Sequence, residues 1–120
     1  MVKSARLLVG LLVPAFMLGG TYSNAAMAQE QAETKVLLDN DKVRVYEARF
    51  KPGAERPSVE RPYRIVRALT DGTMQRIYAD GTTETLEWKA GEVRALGPDK
   101  AYKPKNIGKS DFAVYVVVPK

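Results

Sequence analysis

The residue types in this sequence limit the chemistry that it could perform. The chain has no histidine and no cysteine, so it cannot form a serine, histidine and aspartate triad, a cysteine nucleophile paired with histidine, a zinc ribbon or a disulfide. Any metal ion would have to be bound by oxygen ligands alone. Acid–base and binding roles are therefore left to tyrosine and to the charged side chains.

Two short segments resemble binding loops but lack essential residues. Gly108-Lys109-Ser110 matches the end of a phosphate-binding loop, yet Lys103 replaces the glycine required five residues earlier. Asp39-Asn40-Asp41 matches the start of a calcium loop, but Val43 stands at a ligand position and Arg44 replaces the required glycine. We interpret both segments as turns, because Asp and Asn commonly initiate turns.

The first 28 residues have the three parts of a secretory signal peptide. Lys3 and Arg6 precede an uncharged, largely apolar stretch over 7–19, and Ala26-Met27-Ala28 places small residues at the positions that the signal peptidase reads. This stretch would rise only about 20 Å as a helix, short of the roughly 30 Å hydrocarbon core of a membrane. We therefore predict cleavage after Ala28, no stable membrane span after cleavage, and a mature domain, residues 29–120, in the periplasm or outside the cell.

The mature chain is weakly basic. Residues 29–120 carry 17 Lys and Arg against 14 Asp and Glu, a net charge of +3, because the leader holds two of the 19 cations and none of the acids. This balance does not indicate a nucleic-acid partner. We expect one local run to be a solvated loop and strand edge, with a patch for anionic lipid or polysaccharide as the alternative. This run consists of Lys100, Lys103, Lys105 and Lys109.

The elements that must position these side chains are short β-strands in one domain. The mature chain contains β-type runs separated by turn residues at intervals typical of an all-β sandwich or barrel. Asp80-Gly81 between two such runs predicts a hairpin, and Trp88, after an alternating run, is expected in the core. The last run is apolar on both faces, which favours the middle of the fold. The predicted strands are 35–38, 43–50, 63–69, 73–78, 83–88, 92–96, 101–105 and 112–118.

Two spacings resemble the half-motifs of the cupin family. Gly53 is followed by positions 59 and 61 at the spacing of G(X)5HXH, at a Pro-Gly turn between two predicted strands. The second half-motif, G(X)5PXG(X)2H(X)3N, agrees at Gly91 and Asn106 and has Tyr102 at its histidine position. The resemblance covers nearly all of 36–119 and includes the phrases at 38–45, 86–93 and 106–108. It implies an all-β, cupin-like double-stranded β-helix, which is a jelly-roll barrel.

The resemblance also implies where a metal would be bound. Cupins hold their metal with three histidines and one glutamate that point into the barrel, and the matching positions here are Val59, Arg61, Ile65 or Val66, and Tyr102. Valine and isoleucine have no ligand atom, arginine is a permanent cation, and tyrosine near its ordinary pKa of about 10 is a poor ligand. We therefore expect no metal, no other cofactor and no metal-dependent cupin chemistry.

The same orientation predicts the side chains that line the barrel. Arg61 would occupy the space of the missing metal, and its buried charge would need a partner. That partner is either an internal acid, such as Glu47 or Glu60, or a bound anionic ligand. In a strand after Gly53, side chains at every second position point to the same face, so one set of side chains should share the inner face of the barrel. This set is Val59, Arg61, Tyr63, Ile65, Arg67 and Leu69.

Three functions are compatible with these residues. We favour an exported, metal-free protein that binds a small anionic or polar molecule, without catalysis, at Arg61, Tyr63, Arg67 and Tyr102. The second is a metal-independent enzyme, of the isomerase or epimerase kind, with Glu60 or Tyr102 as acid or base. The third is a structural or interaction protein with a filled barrel, which could form a homodimer through its strand edges. An open cavity with Arg61 unpaired would favour ligand binding. A carboxylate hydrogen-bonded to a tyrosine would favour the enzyme, and a packed interior would favour the structural or interaction protein.

Overall fold

The fold consists of β-strands joined by turns. The computed structural model describes residues 30–120. The predicted leader, residues 1–28, lies outside the described residues. No helix within 30–120 is long and apolar enough to cross a membrane. The strands are β1 (Glu33–Asp39), β2 (Val43–Phe50), β3 (Val59–Arg61), β4 (Arg64–Ala68), β5 (Gly72–Tyr78), β6 (Thr83–Trp88), β7 (Val93–Leu96), β8 (Asp99–Asn106) and β9 (Phe112–Pro119).

These strands form two antiparallel sheets, which confirms the all-β prediction. One sheet has the order β1-β2-β9-β4-β7 and the other has the order β3-β8-β5-β6. Strand β9 pairs with β2 on one side and with β4 on the other, so the apolar last strand lies at the centre of its sheet, as predicted. The edge strands are β1 and β7 in one sheet and β3 and β6 in the other. A homodimer through these edges stays a prediction.

The core lies between the sheets because their strands turn alternate side chains inward. Phe112 is 2% exposed, and its ring centroid lies 6.5 Å from that of Phe50 and 6.2 Å from that of Trp88. Burying a large apolar side chain contributes about 1.5–3 kcal/mol to stability. Trp88 is buried in this cluster, which confirms its predicted place in the core.

Two turns have the geometry that their residues predict. In the hairpin between β5 and β6, Gly81 has a φ of 89°, and Asp80 Oδ1 accepts hydrogen bonds from the backbone N–H and the hydroxyl of Thr82. Between β1 and β2, Asn40 Oδ1 accepts a hydrogen bond of 2.9 Å from the backbone N–H of Val43. Both side chains cap backbone groups of their own turn. Asp39 ends β1, and the turn interpreted at 39–41 begins at Asn40.

The chain changes sheets after Arg61, and this change corrects the predicted inner face. Strand β3 ends at Arg61 in the four-stranded sheet, and β4 begins at Arg64 in the five-stranded sheet. The alternation restarts at Arg64, so Arg64, Val66 and Ala68 are buried. Of the six side chains predicted on the inner face, only Arg61 is buried. The prediction is wrong for Tyr63, Ile65, Arg67 and Leu69, which are half-buried or exposed. Val59 is 48% exposed but lines a cavity between the sheets together with Arg61.

Strand β8 begins two residues earlier than predicted, so Asp99 and Lys100 belong to the strand. Asp99 is the first residue of the strand and not part of the preceding turn. The strand lies between β3 and β5, so its lysines are on an inner strand and not on a strand edge. Lys103 Nζ lies 3.4 Å from the carboxylate of the buried Glu55. The strand carries Lys100, Lys103 and Lys105, and Lys109 follows in the turn before β9.

Candidate functional site

Two adjoining cavities lie between the sheets, and arginines line both. The inner cavity has a volume of about 80 Å³ and the outer cavity about 240 Å³. The residues that line both cavities mark the place where they meet, and these are Tyr46, Arg56, Arg61 and Arg64. The rest of the inner lining is mostly apolar and includes Phe50, Val66, Met74, Leu86, Trp88 and Phe112.

Arg61 is a buried cation without an acidic partner among residues 30–120. Its side chain is 8% exposed, and Nη2 donates hydrogen bonds to the carbonyl oxygens of Pro57 at 2.8 Å and Tyr102 at 3.4 Å. No carboxylate in this part of the chain lies within ion-pair distance of it, so neither Glu47 nor Glu60 is its partner. The buried Nε has no hydrogen-bond partner there either.

Burial changes the electrostatics of the Arg61 guanidinium. It lowers the pKa of Arg61 below its ordinary value because the charged form loses water, and Tyr102 opposes part of this effect. An arginine nevertheless stays protonated in a protein. A buried charge without a counter-charge costs several kcal/mol, and two carbonyl oxygens compensate only in part. The positive charge of Arg61 is therefore available to pair with an anion.

Tyr102 is buried at the centre of three arginines. Its ring centroid lies 4.9 Å from Cζ of Arg61 and 4.4 Å from Cζ of Arg76. Its hydroxyl accepts a hydrogen bond of 2.6 Å from Nη2 of Arg64. The negative face of an aromatic ring attracts a guanidinium, so Tyr102 positions these arginines without supplying a formal negative charge.

The other two arginines around Tyr102 share one carboxylate. Asp99 Oδ2 accepts a hydrogen bond of 3.0 Å from Nη1 of Arg64, and Oδ1 accepts one of 3.5 Å from Nη1 of Arg76. Burial opposes the charge on Arg76, but its hydrogen bond with Tyr78 and the surrounding charges, Asp99 included, raise its pKa above the ordinary value. Arg64 and Arg76 are thus compensated by Asp99, whereas Arg61 is not.

The structure brings two of the four predicted ligand-site residues together. Arg61 and Tyr102 are in contact inside the barrel. Tyr63 is 48% exposed in the link between β3 and β4, and Arg67 is exposed on β4. Neither side chain lines the inner or the outer cavity.

Sequence reasoning missed Arg64 and Arg76. Proline interrupts strand pairing, so Pro62 was a signal that the alternation after Arg61 would restart. Arg76 stands two residues after Met74 in a predicted strand, so the two side chains share a face. The apolar Met74 could therefore have placed Arg76 in the interior.

The groups proposed for acid–base catalysis are not paired inside the barrel. The hydroxyl of Tyr78 donates a hydrogen bond of 3.0 Å to Glu84, but neither residue lines the inner or the outer cavity and the Glu84 side chain is 55% exposed. Glu60 is exposed and lines only the outer cavity. The Tyr102 hydroxyl is bonded to Arg64 and not to a carboxylate. In the inner and outer cavities of residues 30–120, no tyrosine is hydrogen-bonded to a carboxylate.

The cupin metal positions do not fit a metal ion in this chain. Arg61 and Tyr102 are buried, Val66 contributes an apolar side chain to the inner cavity, and Val59 is 48% exposed. Within residues 30–120, no three side chains of His, Cys, Asp or Glu are grouped as metal ligands. A cation in this space would be repelled by the guanidinium groups of Arg61 and Arg64.

Comparisons with solved structures identify the fold. The chain is similar to a cupin domain protein from Bordetella pertussis Tohama I, with a TM-score of 0.72 and 23% identity over 78% of this chain and 98% of that chain. It is similar to an uncharacterized conserved protein with a double-stranded β-helix domain from Klebsiella pneumoniae, with a TM-score of 0.58 and 24% identity over 74% of this chain and 77% of that chain. The sequence matches no protein-family model and no curated protein.

A third similar structure is a cupin-2 domain containing protein from Shewanella frigidimarina, with a TM-score of 0.52 and 14% identity over 82% of this chain and 91% of that chain. These similarities extend over most of the described residues. The chain is therefore a cupin in fold, a double-stranded β-helix. This confirms the fold that the spacings after Gly53 and Gly91 implied.

Proposed function

We propose that this protein is an exported, metal-free cupin that binds a small anion where its inner and outer cavities meet, without catalysing a reaction. The observation that carries the proposal is the buried Arg61 guanidinium, which lacks an acidic partner among residues 30–120 and has an unpaired Nε. A bound anion would supply the missing counter-charge. The signal-peptide features of residues 1–28 support export.

The charges around the cavities support an anion over a neutral or cationic ligand. The inner cavity is lined by four arginines and by no acid, and the outer cavity adds Arg44 and a single acid, Glu60. The nearby carboxylate of Asp99 already accepts hydrogen bonds from Arg64 and Arg76. A guanidinium offers a planar fork of donors that matches carboxylate and phosphate oxygens.

Calorimetric titration of wild type, Arg61→Gln and Arg61→Lys tests the proposal. The panel contains small carboxylates, inorganic phosphate, sugar phosphates and neutral sugars. We expect wild type to bind anions from this panel and not the neutral sugars. Charge-assisted hydrogen bonds contribute about 1.5–3 kcal/mol, so Arg61→Gln should weaken anion binding roughly ten- to hundredfold. Arg61→Lys keeps the charge but loses the fork, and its affinity should lie between the two.

Arg49→Gln is the matched control because Arg49 is exposed on β2 and lines neither cavity. It should bind the panel as wild type does. Circular dichroism of each variant checks that the fold is intact. The proposal is refuted if wild type binds no anion of the panel, or if folded Arg61→Gln and Arg61→Lys both bind as tightly as wild type.

A further inference from the structure

The inner and outer cavities differ in chemistry. Arg56, Arg61 and Arg64 line both cavities and therefore lie at the junction. Beyond the junction, the inner cavity is lined largely by buried apolar side chains of both sheets, including Phe50, Met74, Trp88 and Phe112. A ligand that reaches from the junction into the inner cavity would have its charge at one end and an apolar surface around the other.

Beyond the junction, the inner lining is apolar except for three polar residues, which are Gln75, Arg76 and Tyr102. Of its four arginines, Arg64 and Arg76 are already bonded to Asp99. A sugar hydroxyl or phosphate oxygen placed against Phe50 or Trp88 would have no hydrogen-bond partner, and an unsatisfied buried polar group is costly. The inner cavity therefore favours a hydrocarbon group.

Within residues 30–120, the junction contains one buried charge that lacks a counter-charge. Arg61 is the buried arginine without an acidic partner among residues 30–120, and its Nη2 is already bonded to two backbone carbonyls. Arg56 also has no acidic partner among residues 30–120, but it is only half-buried and donates a hydrogen bond of 3.1 Å to the Tyr46 hydroxyl. Glu60 lines the outer cavity and would repel a second negative charge. A carboxylate suits this arrangement better than a phosphate dianion.

We infer that the ligand is a short-chain monocarboxylic acid, with its carboxylate at Arg61 and its hydrocarbon chain between the two sheets. This inference rests on the proposed function and specifies the class of ligand. The inner cavity of about 80 Å³ limits the chain. A cavity needs about 10–15 Å³ to hold one water molecule, so the inner cavity takes on the order of five groups of that size. Acids of about four to six carbons fit this space.

The test is a calorimetric series of acetate, butyrate, hexanoate and octanoate, with hexan-1-ol and inorganic phosphate as comparisons. Burial of each methylene should tighten binding about fourfold. The gain should end near hexanoate, because a longer chain exceeds the inner cavity. Hexan-1-ol should bind far more weakly than hexanoate, since it lacks the charge that pairs with Arg61.

Ala48→Leu fills the inner cavity from a buried position on β2, and Ala95→Leu makes the same change at an exposed position on β7. Ala48→Leu should abolish the preference for hexanoate over acetate while acetate affinity stays within about twofold. If Ala48→Leu does not fold, Val66→Ile fills the same cavity by one methylene and should reduce that preference. Ala95→Leu should behave as wild type.

The outcomes separate this inference from the proposed function. If phosphate or acetate binds through Arg61 but chain length has no effect in wild type, the inference is overturned and anion binding stands. If the chain-length preference survives cavity filling, the hydrocarbon chain does not occupy the inner cavity and the inference is also overturned. If no anion binds at all, both fail.

Discussion

At Tyr102, one ring contacts two guanidinium groups while its hydroxyl accepts a hydrogen bond from a third. None of these contacts requires a negative charge on the tyrosine. The positive charge of Arg61 is therefore held in place and not neutralised. Asp99 compensates the other two arginines around Tyr102 and leaves Arg61 as the buried cation without a counter-charge within residues 30–120.

Tyr102→Phe tests the hydroxyl alone. The substitution keeps the ring but removes the acceptor of the hydrogen bond from the buried Arg64. An unsatisfied buried donor costs about 1–3 kcal/mol, so the free energy of unfolding should fall by about that amount in urea denaturation. Tyr63→Phe is the matched control, since Tyr63 is 48% exposed. Its effect should stay within about 0.5 kcal/mol, and equal losses in the two variants would contradict this account.

At the level of elements, Asn106 joins the end of β8 to two other segments. It is fully buried, and Nδ2 donates hydrogen bonds of 2.9 Å to the carbonyl oxygens of Phe50 and Ser110. Its Oδ1 accepts a hydrogen bond of 2.8 Å from the backbone N–H of Gly108. One side chain therefore satisfies backbone groups at the end of β2 and in the turn before β9.

Asn106→Asp should be strongly destabilising although the two side chains have nearly the same shape. A carboxylate can still accept from Gly108, but it cannot donate to two buried carbonyl oxygens. We expect the free energy of unfolding to fall by about 2–4 kcal/mol at neutral pH in urea denaturation. Protonation of the introduced carboxylate restores one donor, so the loss of unfolding free energy relative to wild type should be smaller at about pH 4.

Asn40→Asp is the matched control for this substitution. Asn40 is exposed, and its Oδ1 only accepts hydrogen bonds, from the backbone N–H groups of Lys42 and Val43. A carboxylate performs this role equally well, so the stability of Asn40→Asp should be close to that of wild type. A similar loss in both variants would mean that the donor capacity of Asn106 is unimportant.

Strand positions were largely predictable, but alternation alone does not reveal the break between β3 and β4. Alternation and turn residues marked β2, β5 and β6 because local sequence dictates both features. The segment from Arg61 to Leu69, in contrast, also fits one continuous alternation. A shift of the alternation by one position turns every later side chain to the other face of the sheet. An alternation continued from Arg61 therefore placed Tyr63 and Arg67 inside, whereas the structure has Arg64 and Val66 there.

The candidate site was predictable where motif spacing specifies a position. The spacing after Gly53 placed Arg61, and the spacing after Gly91 placed Tyr102. The pairing of Arg64 with Asp99 joins residues 35 positions apart in different sheets. Such a contact depends on how the two sheets pack, which no local pattern in the sequence specifies.

At the scale of the whole molecule, three surface carboxylates of residues 30–120 are stabilised in their charged form. A hydrogen bond from Lys120 lowers the pKa of Asp39, and hydrogen bonds from Thr82 lower the pKa of Asp80. The pKa of Glu92 is lowered by the backbone N–H of Lys89 and then by Arg94. A folded-state pKa below the unfolded value contributes stability above the unfolded pKa, and this contribution is lost as the pH falls through the folded pKa.

The urea midpoint should therefore fall with pH in the acid range. The ordinary pKa values of Asp and Glu are about 3.9 and 4.3, so we expect the decline below about pH 4. Asp39→Asn should reduce the slope of this decline, because it removes one of the contributing carboxylates. An unchanged midpoint between about pH 5 and pH 3 would contradict the expected direction.

Trp88 is an intrinsic fluorophore inside the barrel. It is the only tryptophan of the chain, it is 6% exposed, and it lines the inner cavity with Cζ of Arg94 4.2 Å from its ring centroid. All indole fluorescence of this protein therefore originates at one wall of that cavity. A molecule that enters the cavity changes the surroundings of the emitting ring, and unfolding exposes the ring to water. Occupancy and unfolding can both be followed by intrinsic emission, without a dye or a label.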